Sequence, residues 1–152
     1  MAYVPDLTTF ASLQPEHRPL PCNASERLVL VGWLQGDKEY AKGRVAVEVF
    51  AKLTTLFADP WQPFVFAGGH ACDLCQYEPE KYGGRNLFVP DGSRAFVSPE
   101  LVLHYMNAHA YAPPREFCEA VMACPLPRSQ EYRRALIAAG VKEWLLGRGI
   151  DG

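Results

Sequence analysis

The stretch His70-Ala71-Cys72-Asp73-Leu74-Cys75 places three candidate metal ligands within six residues, directly after the pair Gly68-Gly69. Two cysteines separated by two residues on a tight turn can direct both sulfur atoms to one point, which zinc requires at Zn–S distances of about 2.3 Å. Glycine permits the tight backbone that such a knuckle needs. The stretch therefore predicts one half of a zinc site, with the other ligands supplied from elsewhere in the chain.

The second half of the predicted site comes from histidines. Three of the four histidines (His70, His104 and His109) lie within forty residues around the cysteine pair, and four residues separate His104 from His109. That spacing is typical of paired zinc ligands. On an ideal helix the two rings would diverge by about 140°, so His109 is expected past a helix end. The predicted ligands are Cys72, Cys75, His104 and His109, and His70 is a fifth candidate that lies beside them or replaces His109.

Three functions remain open for this pattern. Four protein ligands would make zinc structural, in a binding or regulatory protein, and this interpretation, without catalytic residues, is favoured. Three protein ligands would leave a bound water whose pKa can fall to about 7, as in a zinc hydrolase; the candidate bases would be Asp73, Glu78 and Glu80. A thiol redox protein is the third alternative, but it needs a helix that starts at Cys72.

The other cysteines do not extend the site. Five cysteines are an odd number for a disulfide framework, and an iron–sulfur cluster usually needs four cysteine ligands. Cys118 falls within a predicted helix, on a plausible core face, and is expected to be a small buried hydrophobe, as is Cys22. Cofactor chemistry is therefore assigned to zinc alone.

Composition narrows the class of protein. A chain of 152 residues fits one domain, and its 49% hydrophobic and 21% charged residues exclude wholesale disorder. A net charge of −2 without a basic block argues against a nucleic-acid partner. The first ten residues lack the basic start of a secretory signal, and the longest apolar run, residues 28–34, is far shorter than the ~20 residues that cross a bilayer. We expect a cytoplasmic protein without a membrane partner; a protein partner, if any, is unidentified.

The first half of the chain predicts strands and one helix. Strands are predicted at 28–34 and 64–67, with a helix over 44–58 between them and a loop over 76–84. Two further strands flank Pro90-Asp91-Gly92-Ser93, whose Asp-Gly pair predicts a hairpin turn.

The second half is predicted to be helical. Ser98-Pro99-Glu100 has the residue types of a helix start, and that helix should end near Ala108. A third helix should follow Pro113-Pro114 and run through Met122, with Phe117, Val121 and Met122 facing inward. A fourth is predicted over 129–139, before a break at Gly140 and a last turn over 141–146.

The predicted fold class is α+β, with a small antiparallel or mixed sheet, a helical C-terminal half and the zinc knuckle inside a single domain. Residues 1–27 are predicted to be an extended N-terminal arm, residues 28–147 the zinc-binding domain and residues 148–152 a tail.

These motifs resemble those of an uncharacterised family of small bacterial proteins, a domain of unknown function. The segment from Gly69 to Cys75 resembles a G-x-H-x-C-x-x-C signature, and the segment from His104 to Pro114 resembles H-Y-x-x-x-H-x-Y-x-P-P. Val31-Gly32-Trp33-Leu34 followed by a helix is also similar to that family. The resemblance spans roughly residues 28–122 and implies a shared fold, shared metal ligands and a bacterial, cytoplasmic protein. It implies no particular activity.

Overall fold

The computed structural model describes residues 3–12, 27–62, 70–75 and 82–141, and for residues 70, 82 and 83 it describes the backbone. In chain order the elements are β1 (Thr8–Thr9), a 3₁₀ helix (Phe10–Ser12), β2 (Leu28–Leu30), α1 (Val47–Phe57), β3 (His70–Ala71), β4 (Tyr82–Gly83), β5 (Asn86–Asp91), β6 (Arg94–Pro99), α2 (Val102–Ala108), α3 (Arg115–Ala123) and α4 (Gln130–Ala138).

Four strands form a mixed sheet in the order β1-β2-β6-β5. β2 pairs with β6 in parallel, and the other two pairings are antiparallel. A parallel pair needs a long crossover connection, and the chain between β2 and β6 contains α1. A second sheet consists of β3 and β4. The described residues therefore confirm an α+β fold with a small mixed sheet and a helical second half.

The β5–β6 hairpin is where the sequence placed it. Asp91 pairs with Arg94, so Gly92 and Ser93 form a two-residue turn. Gly92 has φ of +61°, a conformation that glycine adopts without steric cost. The predicted hairpin is thus confirmed, but its turn consists of Gly92-Ser93 rather than the Asp-Gly pair. Both strands are longer than predicted because they pair over six residues each.

β2 is shorter than the predicted strand over 28–34. It ends at Leu30 because Gly32, with φ of +87°, turns the chain out of the extended conformation. The residues after β2 stay in the core: Val31 donates its N–H to the Val97 carbonyl, and the Trp33 indole donates to the same carbonyl oxygen.

The predicted helix start at Ser98-Pro99-Glu100 is wrong. Ser98 and Pro99 belong to β6 and pair with Leu87 and Asn86 of β5. The Ser98 side chain is fully buried, so it is not available to cap an exposed helix end. Pairing with a neighbouring strand outweighs the local capping pattern, and α2 begins three residues later. Its predicted end, Ala108, is confirmed.

The remaining helices follow the sequence with one exception. α1 buries Val49, Leu53, Leu56 and Phe57, which recur at steps of three and four, and the Ser129 hydroxyl caps α4 by accepting from the Tyr132 N–H. Gly140 ends α4 with φ of +96°.

The inward position predicted for Met122 on α3 is wrong. Its side chain is 46% exposed, whereas Phe117, Ala120 and Val121 are buried. These three share one helix face at steps of three and four. Met122 lies one residue beyond that face, which turns it towards solvent.

Some sequence predictions meet the structure only in part. Within the predicted loop over 76–84, Tyr82–Gly83 forms β4 instead; residues 76–81 lie outside the described residues. Outside the described residues there also lie the predicted strand at 64–67, Cys22, most of the predicted last turn over 141–146 and the tail. Within the predicted arm, β1 pairs with β2 and Phe10 is buried. The division into arm, domain and tail stays a prediction.

We predict that Gly32→Ala destabilises the protein more than Gly92→Ala. Both residues have positive φ, which costs a non-glycine residue about 1–2 kcal/mol. A Cβ at residue 32 would also lie 3.0 Å from Val102 Cγ2, whereas nothing lies within 4 Å of one at residue 92. Overpacking adds roughly 1–3 kcal/mol. Urea unfolding of both variants measures the difference; equal losses would contradict the packing argument.

Candidate metal centre

The cysteine knuckle follows a short strand. The chain leaves β3 at Ala71, bends at Asp73 and Leu74, and so turns both cysteines towards the end of α2. Cys72 is fully buried and Cys75 is half-buried. The knuckle packs closely against the segment after Trp33: a Cβ on Gly36 would lie 2.7 Å from the Asp73 carbonyl oxygen. Only glycine fits that approach.

The histidines lie on either side of the end of α2. His104 is inside the helix, and His109 follows its last residue with φ of −124° and ψ of 14°. This confirms the expectation that His109 lies past the helix end. Ala110 then adopts φ of +54°, and the Tyr105 carbonyl accepts N–H groups from both His109 and Tyr111. The tightened turn brings the two imidazole rings to a centroid distance of 4.9 Å at 84°.

The four predicted ligands converge on one point. Cys75 Sγ lies 3.1 Å from His104 Nε2 and 3.5 Å from His109 Nε2, while Cys72 Sγ lies 3.4 Å from His109 Nε2. The two Nε2 atoms are 3.2 Å apart, and all four ligand atoms lie within 4.8 Å of one another.

Four of the six separations lie close to the edges of a tetrahedral zinc site. From the usual Zn–S and Zn–N lengths, a tetrahedron has S···N edges of about 3.6 Å and an N···N edge of about 3.3 Å. The observed contacts fall within half an ångström of those values. Cys72, Cys75, His104 and His109 therefore lie close enough to bind a metal ion.

Other predicted site residues are not brought together with these four in the described structure. His70 begins β3 and pairs with Gly83 through its backbone; its side chain lies outside the description, so its role as fifth candidate stays a prediction. Asp73 is exposed at the bend. Glu78 and Glu80 lie outside the described residues.

Negative charge is disfavoured at Cys72 and at the neighbouring Tyr105. Burial raises the pKa of the Cys72 thiol, and the neighbouring Cys75 raises it further. Burial likewise raises the pKa of Tyr105, with added contributions from negative charge on Cys72 and Asp73. A divalent ion inverts this preference, because a coordinating thiol is deprotonated by the metal. A bound metal ion would therefore favour the thiolate form of Cys72, which burial alone disfavours.

The residues after Cys72 do not form the environment of a reactive dithiol. A redox C-x-x-C motif lowers its first thiol pKa at a helix N-terminus. Here residues 72–75 form a bend, and the pKa of Cys72 is raised. The redox alternative therefore lacks its structural basis in the described part of the knuckle.

The remaining described cysteines are separate from the site. Cys118 is half-buried in α3, where its thiol donates to the Pro113 carbonyl at 3.8 Å, in agreement with its expected role as a small core residue. Burial raises the pKa of Cys124 to about 12. Both thiols are thus held protonated and serve packing.

A segment that the sequence did not single out supports the end of α2. Lys42 forms an isolated antiparallel bridge with Tyr111. On either side, Gly43 donates its N–H to the Ala110 carbonyl, and Ala112 donates to the Ala41 carbonyl, both at 3.0 Å.

The Tyr40 hydroxyl adds to these contacts of residues 41–43 by donating to the His109 carbonyl at 2.9 Å. The backbone on which His109 depends is thereby fixed by residues almost seventy positions earlier. Because the contact is non-local, no local pattern could have revealed it.

A half-buried carboxylate, Asp6, provides a second support. Asp6 accepts the Tyr111 hydroxyl at 2.7 Å with one oxygen and the Gly32 N–H at 3.0 Å with the other. Burial raises the pKa of Asp6 although both hydrogen bonds lower it. The N-terminal segment is thus joined to the turn that carries His109, a connection that sequence analysis also missed.

The comparisons with known proteins agree with the resemblance seen in the motifs. A family model described as a domain of unknown function (DUF7919) matches residues 2–122. The match ends where the resemblance ended but begins nearer the N-terminus, so it includes β1 and Asp6. No curated protein and no solved structure shows significant similarity to the chain.

We predict that Gly36→Ala weakens metal binding and stability, whereas Gly43→Ala does not. A Cβ on Gly36 must displace the Asp73 backbone between the two cysteines, at a cost of roughly 1–3 kcal/mol. The nearest contact of a Cβ on Gly43 is 3.4 Å, to Ala112 Cβ. Chelator competition and urea unfolding of the metal-loaded variants provide the measurements. Wild-type metal affinity in Gly36→Ala would show that the close approach does not position the knuckle.

Proposed function

This chain belongs to the DUF7919 family, and we propose that it is a zinc-binding domain in which the ion has a structural role. The single observation that carries the proposal is the convergence of two sulfur and two Nε2 atoms within 4.8 Å. The proposed ligands are Cys72, Cys75, His104 and His109.

The donor set supports zinc over other metals. Two thiolates with two imidazoles in tetrahedral contact form the ligand set of structural Cys₂His₂ zinc sites. Magnesium, calcium and manganese prefer oxygen ligands. The two thiolates also balance the charge of a divalent ion, so the loaded site is neutral, which suits the complete burial of Cys72.

A structural role follows from the number and origin of the ligands. Four side chains fill a tetrahedral shell and leave no position for the water that a zinc hydrolase activates. The ligands come from the knuckle after β3 and from the end of α2, segments about thirty residues apart in sequence. An ion between them would join these two segments. The strand pairing next to the knuckle, between β3 and β4, covers only two residues, so the ion would add a connection where the sheet supplies little.

The proposed biological role is binding or regulation in the bacterial cytoplasm, with the structural use of zinc favoured over catalysis and with an unidentified partner. The net charge of −2 supplies no positive electrostatic potential that would attract the phosphates of a nucleic acid. Among the described residues, every helix is too short or too polar to span a bilayer.

We predict that the purified protein holds one zinc ion and that its removal lowers the melting temperature strongly. Structural zinc contributes about 10–16 kcal/mol of apparent binding free energy in zinc-finger peptides, comparable with the whole stability of a domain. Elemental analysis followed by thermal melts with and without a strong chelator tests this. An unchanged melting temperature after complete removal would exclude the structural role.

Cys72→Ser should abolish stoichiometric zinc binding, because a serine hydroxyl does not replace a buried thiolate ligand. Cys118→Ser is the matched control: its thiol is half-buried and away from the cluster, so the variant should keep one zinc ion. The comparison stays informative if Cys72→Ser fails to fold, since the chelator melt of the wild type reports the same loss. A Cys72→Ser variant that retains a full equivalent of zinc would overturn the ligand assignment.

Zinc binding should release protons at pH 7. The pKa of the Cys72 thiol is raised by burial, and ordinary thiols with a pKa of about 8.5 are also protonated there, so thiolate ligation displaces about two protons. Zinc affinity should accordingly rise with pH over the neutral range. Calorimetric titration in buffers of different ionisation enthalpy measures the number released. A value of zero would exclude thiolate ligands.

A further inference from the structure

A groove of about 520 Å³ opens beside the metal centre, between the start of α1 and the end of α2. This volume is within the range of small-molecule sites, which are lined mainly by apolar and aromatic side chains. The groove has such a lining: Val45, Val47, Phe50, Met106 and Tyr111.

The apolar wall is open to a ligand. Val47, in the first turn of α1, is 72% exposed, the largest exposure among the large apolar residues that the structure describes as exposed. Phe50 follows it one turn later, on the same side of the helix. A ligand along these two side chains and Met106 would remove apolar surface from water, which favours binding.

The charge at the groove is of one sign. Arg44 lines it, and of the described lining residues none is acidic. Arg85, Arg94, Arg115 and Arg128 each pair with a carboxylate of the chain. Within the described part of the chain, Arg44 has no such pair. A guanidinium presents parallel N–H donors that match a carboxylate, so charge complementarity selects an anionic ligand head.

The opposite wall is fixed in place. Ala108 and Ala110 line the groove on either side of His109, and the Ala110 carbonyl accepts the N–H of Gly43, which lies on the near wall. The two walls are therefore joined by a backbone hydrogen bond at the base of the groove. A site formed before the ligand arrives avoids part of the ordering cost of binding.

We propose that this groove binds a small apolar carboxylate, an alkanoate or aryl-alkanoate of medium length. The carboxylate contacts Arg44, and the hydrocarbon lies along Val47, Phe50 and Met106. This function goes beyond the zinc site and does not need the ion to contact the ligand.

Octanoate is the test ligand, and octan-1-ol is its uncharged counterpart of nearly equal length. Titration of the protein, followed by ¹H–¹⁵N chemical shifts and calorimetry, should show octanoate binding about 1.5-fold to fivefold more tightly, the effect of one exposed ion pair. Arg44→Gln should remove that preference and leave the affinity for octan-1-ol unchanged. Arg134→Gln, which removes an exposed arginine from α4, should keep the preference.

Equal affinities of the wild type for octanoate and octan-1-ol would overturn the proposal. So would shift changes that spare Val47, Phe50 and Met106, or the absence of any change at millimolar octanoate. Zinc content is measured on the same samples. If the wild type holds one zinc ion and shows no carboxylate preference, the groove proposal alone is refuted. If the wild type purifies without zinc and still binds octanoate with that preference, the metal proposal alone is refuted.

Discussion

The turn that ends α2 is the constraint on which the rest of the site depends. Ala110 adopts a left-handed conformation that costs a residue with a Cβ about 1–2 kcal/mol, and it directs the chain after His109 back towards α2 and residues 41–43. Such strain persists only where the surroundings determine it. Here the backbone of residues 41–43 and the Tyr40 hydroxyl hold the turn from one side. The Asp6 carboxylate holds Tyr111, one residue further along.

Once the turn is fixed, the chemistry of the cluster follows from burial. Cys72 has lost its access to water, and its raised pKa expresses the cost of forming a thiolate there. Placing four sulfur and nitrogen donors within 4.8 Å of one another costs desolvation free energy that hydrogen bonds among them would offset only in part. The proposed ion would offset that cost through four bonds and would couple the knuckle to the helix. The supports around the turn thus serve the same end as the proposed metal: they keep distant ligands in register.

The sequence predicted what depends on local geometry and missed what depends on distant contacts. The four clustered residues were identified because ligand spacing and helical rotation are local rules, and the hairpin because Gly92 permits its turn. Ser98 misled because its capping pattern is equally local, while its pairing with Leu87 comes from another strand. Asp6 and Tyr111 interact across more than a hundred residues. No periodicity or spacing encodes such a contact.

The same turn connects the two proposed sites, which explains why a small domain would maintain a strained segment. Residues on both sides of His109 form a wall of the groove, so whatever fixes the imidazole also fixes that wall. A ligand site beside a structural metal gains preorganisation that the short helix α2 could not supply, because a helix of seven residues owes its stability to tertiary contacts rather than to its own hydrogen bonds. A binding role for the domain is therefore consistent with a metal that takes no part in chemistry: the ion would hold the surface, and the surface would recognise the ligand.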